Sequence, residues 1–447
     1  LYYPQSPYNF AVVDAGILGE IYDLFLGREI RRQNGTASVD QKPEVVASGG
    51  VVPTPPFVSQ KIAKQVLEPL CEGRSPEELE SLSVCDICCG SGSFLIAAYD
   101  YLLNYHREWY IDDGPAHHSD RIVEGTGNQW KLTLFEKKRI LLNSIYGVDV
   151  DQQAVEVARF SLLLKVLEDE SESAIEGHLG QYGEEALPSL RRNLKLGNSL
   201  IDEGYVKQAD DLDTEDFQRI QPFSWRREFP EVFEEGGFDA IIGNPPYVRI
   251  QNLVGYTPEE VEFYRSDNSP YTTADQDNFD KYYLFIERAL SLLGENGRLG
   301  YITPHKFMSI EAGEPLRCLL AEGKNVRKIT HFGVEQVFPE RTTYTCILEL
   351  GGSESSSFEV ERVDNVDAWR SGRTFPSRIF EAEHIDCDPW VFVSQEAQNL
   401  FERIREDNDT AELSEIADIP VGLQTSADDI FIVQEDNEPT LTQAEDG

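Results

Sequence analysis

Ser83-Val84-Cys85-Asp86-Ile87-Cys88-Cys89-Gly90-Ser91-Gly92-Ser93-Phe94-Leu95 changes character twice within a short span. Residues 83–88 read as a buried strand, 89–93 as a glycine turn, and Phe94, Leu95, Ala98 and Leu102 as the apolar face of a helix. Strand, turn and helix in that order begin a parallel β-α-β unit and set the fold class as α/β. The glycines let the backbone approach a ligand closely, and the helix start behind them favours an anionic ligand group. The pattern is not the dinucleotide fingerprint, because Phe94 and Leu95 stand in the neighbourhood of its third glycine. The acid at the next strand end, Asp149, also comes much later than that fingerprint requires.

Upstream, Ile17, Leu18, Ile21, Leu24 and Phe25 give 16–32 a helical period, and a polar loop follows over 33–50. Val51-Val52-Pro53-Thr54-Pro55-Pro56-Phe57 then leads into a second amphipathic helix through Val58, Ile62, Val66, Leu67 and Leu70, with prolines at its start. Downstream the spacing predicts a polar insertion (108–130), a helix (132–142), a strand (144–150) and a helix (154–167). An exposed acidic stretch (168–185) comes next. Further strands are expected at 194–200, 238–242, 298–303, 326–332 and 344–350, with a helix at 281–293. The alternation predicts a mainly parallel sheet with helices on both faces. Glycine and serine after 350 read as a connector, and 419–425 and 430–433 as the first strands of a β-rich region. The expected organisation is a helical segment (1–50), a catalytic domain (51–352), a connector (353–412) and the start of a truncated recognition domain (413–447).

With 447 residues, 40% of them hydrophobic, the chain can build two or three domains and a substantial core. Its 80 acidic residues outnumber 39 basic ones, for a net charge of −41, and they are spread along the chain, which argues against a single acidic arm. Such dense charge suits a salt-rich cytoplasm, where screening makes it tolerable and net charge no longer excludes nucleic acid. No apolar run has the length of a membrane span, no signal peptide is visible, and the start at Leu1 reads as a fragment. Cys85-x-x-Cys88-Cys89 lacks a second pair at zinc spacing, so these residues read as buried, reduced thiols of a cytoplasmic protein with no metal.

A second stretch, Phe238-Asp239-Ala240-Ile241-Ile242-Gly243-Asn244-Pro245-Pro246-Tyr247-Val248-Arg249, is a buried strand that breaks into a rigid turn. Prolines lack backbone N–H groups, so the turn offers carbonyl acceptors and few donors. Asn244 adds a side-chain carbonyl and Tyr247 a flat ring. The turn suits a clamp for a planar amino group, and equally an ordinary proline turn after a strand. Asp149 suits a pair of ribose hydroxyls, and also a plain surface acid.

Taken together, 86–95, Gly147-Val148-Asp149-Val150-Asp151 and 243–249 resemble the amino-methylating DNA methyltransferases. The cofactor turn preceding Asn-Pro-Pro-Tyr is the order of their gamma group. The likeness is closest to the methylase part of type IIG restriction-modification enzymes and related phage-defence methylases. Leu18-Gly19-Glu20-Ile21-Tyr22, Thr54-Pro55-Pro56 and 297–308 are similar to further motifs of that family.

The resemblance implies a Rossmann-like S-adenosylmethionine-dependent methyltransferase fold and S-adenosyl-L-methionine as cofactor. It places Asp86, Cys89, Gly90 and Gly92 around the methionine part, Thr54 near its carboxylate and Asp149 on the ribose. Asn198, usually aspartate in the family, falls beside the cofactor's adenine. Asn244, Pro245, Pro246 and Tyr247 become catalytic, with the Asn244 side-chain oxygen and the Pro245 carbonyl accepting the two hydrogens of an adenine N6. Tyr247 would stack on a base flipped from duplex DNA. Phe338 is expected either as a second wall of the base pocket or as a core aromatic. Arg249, Lys306 and Arg341 are candidate phosphate contacts. The implied activity is site-specific DNA adenine-N6 methylation in a restriction-modification or phage-defence system. Asparagine at the head of the motif favours adenine over cytosine N4. The rivals are a glutamine-N5 methyltransferase acting on release factors and a non-catalytic DNA-binding specificity protein. No nuclease motif is visible, since Glu322-Gly323-Lys324 lacks a paired acid; a nuclease is expected outside the fragment or on a partner subunit.

Overall fold

The computed structural model describes residues 53–125, 129–168, 170, 187–202, 219–255, 257–266, 269–274, 278–338 and 343–392. Outside these it describes Gly19, Tyr22, 28–33, 36–41, Arg403, 434–435 and 438–439. The chain divides into one unit over Leu1–Val391 and another over Phe392–Gly447.

Strands β1 (Arg28–Gln33) and β2 (Thr36–Gln41) pair antiparallel, with Gln33 facing Thr36. This corrects the expected helix over 16–32 in its last turn, although Gly19 and Tyr22 are helical. Asn34-Gly35, the two residues between the strands, is a pair strongly favoured in tight hairpins, and it outweighs the helical period that leads up to it.

The sheet that dominates the first unit begins with β3 (Val84–Asp86). A small hairpin, β4 (Ile122–Glu124) and β5 (Trp130–Leu132), interrupts it within the expected polar insertion. The remaining strands are β6 (Ile145–Asp149), β7 (Leu194–Leu196), β8 (Phe238–Gly243), β9 (Leu293–Pro304), β10 (Val326–His331), β11 (Thr345–Gly351), β12 (Ser357–Arg362) and β13 (Ser377–Glu381). The order across the nine strands is β13-β12-β10-β11-β9-β8-β3-β6-β7. From β7 to β9 every pairing is parallel. β11 runs antiparallel to both β9 and β10. The chain starts at β3, moves outward to β6 and β7, then returns to lay β8 and β9 on the other side. The winding therefore reverses at β3, the position where open α/β sheets form ligand crevices. This is the expected Rossmann-like methyltransferase fold.

Helices α1 (Pro56–Cys71), α2 (Ser93–Asp112), α3 (Leu134–Ser144) and α4 (Gln152–Leu167) supply most of one large core. Their apolar stripes meet Ala240, Ile242, Ile302 and Ile347 from the sheet, and each fully buried aliphatic side chain stabilises by about 1.5–3 kcal/mol. α1 packs on β8 and β9, and Gly300 is what lets it come so close: a Cβ there would collide with Val66. α4 begins under Asp151, whose carboxylate accepts from the Gln153 and Ala154 amides. The unit also contains α5 (Pro258–Arg265), α6 (Lys281–Leu292) and α7 (Glu314–Glu322), with α6 against β9, and several shorter helices.

The stretch expected to be a connector from 353 instead supplies β12 and β13. Phe358, Val360 and Phe380 are buried there, and β12 pairs with β10, which would otherwise end the sheet with an unpaired edge. A disulfide joins Cys318 on α7 to Cys387 across a separation of 69 residues that no spacing rule flags. Cys85, Cys88 and Cys89 are free thiols, and burial pushes each well above the usual range. No helix among the described residues is long and apolar enough to cross a membrane. In the second unit Gln434–Glu435 pairs with Glu438–Pro439; the strands expected at 419–425 and 430–433 lie outside the described residues.

Candidate active site

The carboxyl ends of β3, β6 and β8 open onto a cleft of about 320 Å³. Gly90, Asp149, Asn198 and the whole Asn244-Pro245-Pro246-Tyr247 turn line it, so residues spread over more than 150 positions of sequence converge on one space.

The glycine turn is built around two carboxylates. Asp86, only 1% exposed, accepts from the Cys88 amide at 3.0 Å. It lies directly under Gly243: a Cβ at that glycine would stand 2.8 Å from its Oδ1. Burial pushes the Asp86 carboxyl up to about 7, the nearby Asp149 charge adds to the shift, and the Cys88 amide opposes it. Asp149 accepts from Gly90 N at 2.8 Å and from Asp151 N at 2.8 Å. Its carboxyl is also raised, chiefly by burial. Among the described residues no basic side chain forms an ion pair with either acid. The two backbone glycines separate in role. Gly90 (φ +51°) has open space where a Cβ would point, as a ligand-facing position requires. Gly92 (φ +90°) faces Ala158 on α4 and serves helix packing. Cys89 is likewise buried in the core, and it is Cys88 that borders the cleft.

Asn198 closes one side. It is 6% exposed, its Oδ1 accepts from Leu200 N at 3.1 Å, and its backbone N–H donates to the Gln221 carbonyl at 2.7 Å. Glycine precedes it because Phe223 fills the space a Cβ would take at 197.

On the opposite side the Asn244 Nδ2 donates to the Thr54 hydroxyl at 3.0 Å, which directs the donor end of the amide toward α1. Thr54, expected beside a cofactor carboxylate, is therefore placed on the Asn244 side chain. Tyr247 is half-buried. Its hydroxyl donates to the Ile302 carbonyl at 2.9 Å, and its ring meets Tyr282 edge-on with centroids 6.0 Å apart. Both contacts hold the ring at the cleft.

Two expected contacts, Phe338 and Lys306, fall elsewhere. Phe338, 2% exposed, belongs to the core with Val337, Phe332 and Trp369 and does not line the cleft, so its core reading replaces the base-wall reading. Lys306 forms an ion pair with the buried Asp280 at 2.7 Å, which compensates that carboxylate for its lost water. Arg249 is exposed beside the turn, and Arg341 lies outside the described residues.

The structure adds residues that motif reading did not find. Glu260 on α5 and Lys281 on α6 line the cleft and form an ion pair at 2.9 Å, with the Tyr264 hydroxyl donating to the same carboxylate oxygen at 3.0 Å. Phe285, one turn along α6 from Lys281, and Val150 after Asp149 provide apolar wall. In so acidic a chain Glu260 carries no individual signal. Phe285 follows the apolar period of its helix, which predicts burial only.

Residues 143–338 match the family model described as Eco57I restriction-modification methylase. The chain is 33% identical over 443 residues to the type II restriction enzyme and methyltransferase RM.Eco57I of Escherichia coli, covering 97% of this chain and 41% of that protein. It is 28% identical over 240 residues to the type II methyltransferase M.BstVI of Geobacillus stearothermophilus, covering 48% of this chain and 41% of that one. It is 25% identical over 283 residues to the adenine-specific methyltransferase PglX of Streptomyces coelicolor, covering 59% of this chain and 20% of that one. The chain thus spans less than half the length of each. In fold it is similar to the cryo-electron-microscopy structure of a DrdV–DNA complex, with a TM-score of 0.50 and 13% identity over 86% of this chain and 34% of that chain.

Proposed function

We propose, from the match of residues 143–338 to the Eco57I restriction-modification methylase family model, that this chain is the methylating part of a restriction-modification or phage-defence enzyme. Its reaction is methylation of the N6 amine of an adenine flipped out of duplex DNA. The observation that carries the reading is the convergence of Asn244-Pro245-Pro246-Tyr247 with Gly90, Asp149 and Asn198 on one cleft. Buried Asp86 beneath the cleft and half-buried Asp149 in its wall, neither ion-paired to a basic side chain among the described residues, suit it to a cationic ligand, and S-adenosyl-L-methionine carries both an ammonium and a sulfonium.

When bound, the cofactor supplies an electrophilic methyl group. The chain's own residues do the rest. Asp149 and the Gly90 backbone hold the ribose side, Asp86 lends its charge from beneath, and Asn198 borders the cofactor's adenine. The Asn244 Oδ1 and the Pro245 carbonyl accept the two amine hydrogens and turn the nitrogen lone pair toward the methyl group. An adenine amine is a poor nucleophile because that lone pair is delocalised into the ring, so orientation and electrostatics carry the acceleration. The nitrogen would exchange an N–H bond for an N–C bond, the electron pair of the broken S–C bond staying on the donor's sulfur and the proton passing to water. Tyr247 gives the flipped base a stacking face. The adenine reading draws support from asparagine at position 244 and from the S. coelicolor relative, which is named adenine-specific. The reading extends to a type IIG arrangement with a nuclease elsewhere, and to a salt-rich cytoplasm on the strength of the charge.

Incubating the protein with methyl-labelled S-adenosylmethionine and duplex DNA, then digesting to nucleosides, tests it. Label in N6-methyladenine is expected. Label in N4-methylcytosine overturns the choice of base, and label in a protein glutamine overturns DNA as substrate.

A further inference from the structure

A second cavity, of about 530 Å³, lies among α1, α2, α3 and α4 and shares no lining residue with the cleft. Its charge reverses that of the chain. The sequence holds 80 acids and 39 bases, yet five of the thirteen residues that line this cavity are basic and two are acidic. Each base comes from a different element: Lys64 from α1, Arg107 from α2, Lys131 from β5, Lys137 from α3 and Lys165 from α4. No run of sequence announces this convergence.

The five cations differ in what already answers them. Lys137, 9% exposed, is held by Glu170 at 2.6 Å and by the Glu168 carbonyl at 2.9 Å. Lys165 pairs with both acids of the lining, Asp100 and Glu168, so neither acid is left to cancel another base. Lys64 meets Glu68 at 3.6 Å, but both side chains are more than half exposed, and solvent leaves that pair little strength. The half-buried side chains of Arg107 and Lys131 form no ion pair among the described residues. Beside them, Asn104 adds an amide donor and Tyr101 a flat ring, backed by the near-parallel ring of Tyr105 at 6.5 Å.

We propose that this cavity binds a phosphate-bearing ligand, with Arg107 and Lys131 as its principal contacts. A guanidinium takes phosphate oxygens in pairs, and an ammonium takes them as a point charge. The volume lies in the range of small-molecule sites and holds an inorganic oligophosphate or a nucleoside triphosphate, whose base would rest on Tyr101. Both sources present the same closely spaced phosphates. The site stands on its own charge and shape and does not depend on the methylation reading.

Inorganic tripolyphosphate is the first probe, because it lacks the adenosine that would let a nucleotide enter the cofactor cleft. Calorimetric titration of the full chain should show saturable binding at one site per chain. Arg107→Gln with Lys131→Gln should weaken it by about tenfold or more, as for lost hydrogen bonds to a charged group. Arg191→Gln with Arg192→Gln removes the same charge from exposed positions outside the cavity and should change affinity by less than about threefold. Cytidine triphosphate separates the two sources. Binding no tighter than that of tripolyphosphate assigns the phosphates alone, and binding about tenfold tighter assigns a nucleotide. Absence of saturable tripolyphosphate binding overturns the proposal. So does binding that the Arg107 and Lys131 substitutions leave unchanged, or that the control pair weakens equally, since net charge would then be responsible. Acetylation of Lys131 in the wild-type chain, read by peptide mass spectrometry, needs no variant. Tripolyphosphate should slow it; unslowed acetylation places the anion elsewhere and overturns the site, even where the double variant does not fold.

Discussion

Asp86 on β3 and Glu349 on β11 lie in one sheet, both are buried, and burial pushes both carboxyls up to about 7. Their neighbours differ. Beside Asp86 the nearest charge is a second carboxylate, Asp149, itself raised, and the Asp86 carboxylate is met by a backbone amide. Beside Glu349 stand Lys328 and Arg298, which draw its carboxyl down, and Lys328 also bridges Glu359 and Glu361 at 3.3 and 3.6 Å. One acid sits under the wall of a cleft with its charge unbalanced; the other is enclosed where the antiparallel half of the sheet is covered. A displaced titration is thus shared by a site and a piece of structure. What separates them is an opening and a deficit of positive charge.

The largest effect that would break this comparison lies at the clamp. Asn244→Ala should lower methyl transfer about 1,000-fold, at the upper end for a lost transition-state contact, while S-adenosylmethionine Kd moves by less than about threefold. Cofactor binding lost in parallel would mean that Asn244 belongs to the cofactor site instead. Next, Asp86→Asn should weaken cofactor binding by roughly ten- to a hundredfold, and Glu349→Gln should leave it unchanged in the same titration. Equal losses would erase the distinction between the two acids.

The third effect is on pH. A cationic ligand needs Asp86 ionised, so below its raised pKa binding must first remove a proton. With that carboxyl near 7, wild-type affinity should rise about tenfold from pH 6 to pH 8, and Asp86→Asn should flatten the slope. A slope that persists in the variant assigns the proton to another group.

The smallest effect is on stability. A carboxyl whose folded pKa lies above its unfolded value favours folding in its protonated form. That contribution is complete below the unfolded range near 4.5 and is lost as pH rises through about 7. The permanently neutral Glu349→Gln should therefore gain stability relative to wild type between pH 5 and pH 8, by on the order of 1 kcal/mol, read from urea unfolding at both values. No difference between the two pH values would mean that Lys328 and Arg298 already neutralise the buried charge.

Much of the cleft was legible because its parts are local. The glycine turn at 90–92 and the two prolines after Asn244 announce themselves through backbone restrictions that hold in any context. Asn34-Gly35 was equally legible, yet the stronger apolar period before it concealed the hairpin. β12 and β13 were not, because glycine and serine at 351–357 mask two short strands whose burial depends on pairing with β10. Phe338 shows the limit of a motif: an aromatic beside proline can wall a pocket or fill a core, and only its burial among Phe332 and Trp369 separates the two. Glu260 and Lys281 escaped because an ion pair between helices leaves no periodic trace.

The sequence by itself determined the sheet strands β3 and β6 to β11, the ligand turn after β3 and the acceptor-rich Asn244-Pro245-Pro246-Tyr247 after β8. Hydrophobic period, glycine and proline act over a few residues and need no distant partner. The tertiary structure alone decided that Thr54 reaches Asn244, that Asp86 lies beneath Gly243 and titrates near 7, and that Lys306 is spent on Asp280. Each depends on which groups lose water together, and that is fixed only when segments far apart in the chain pack against one another.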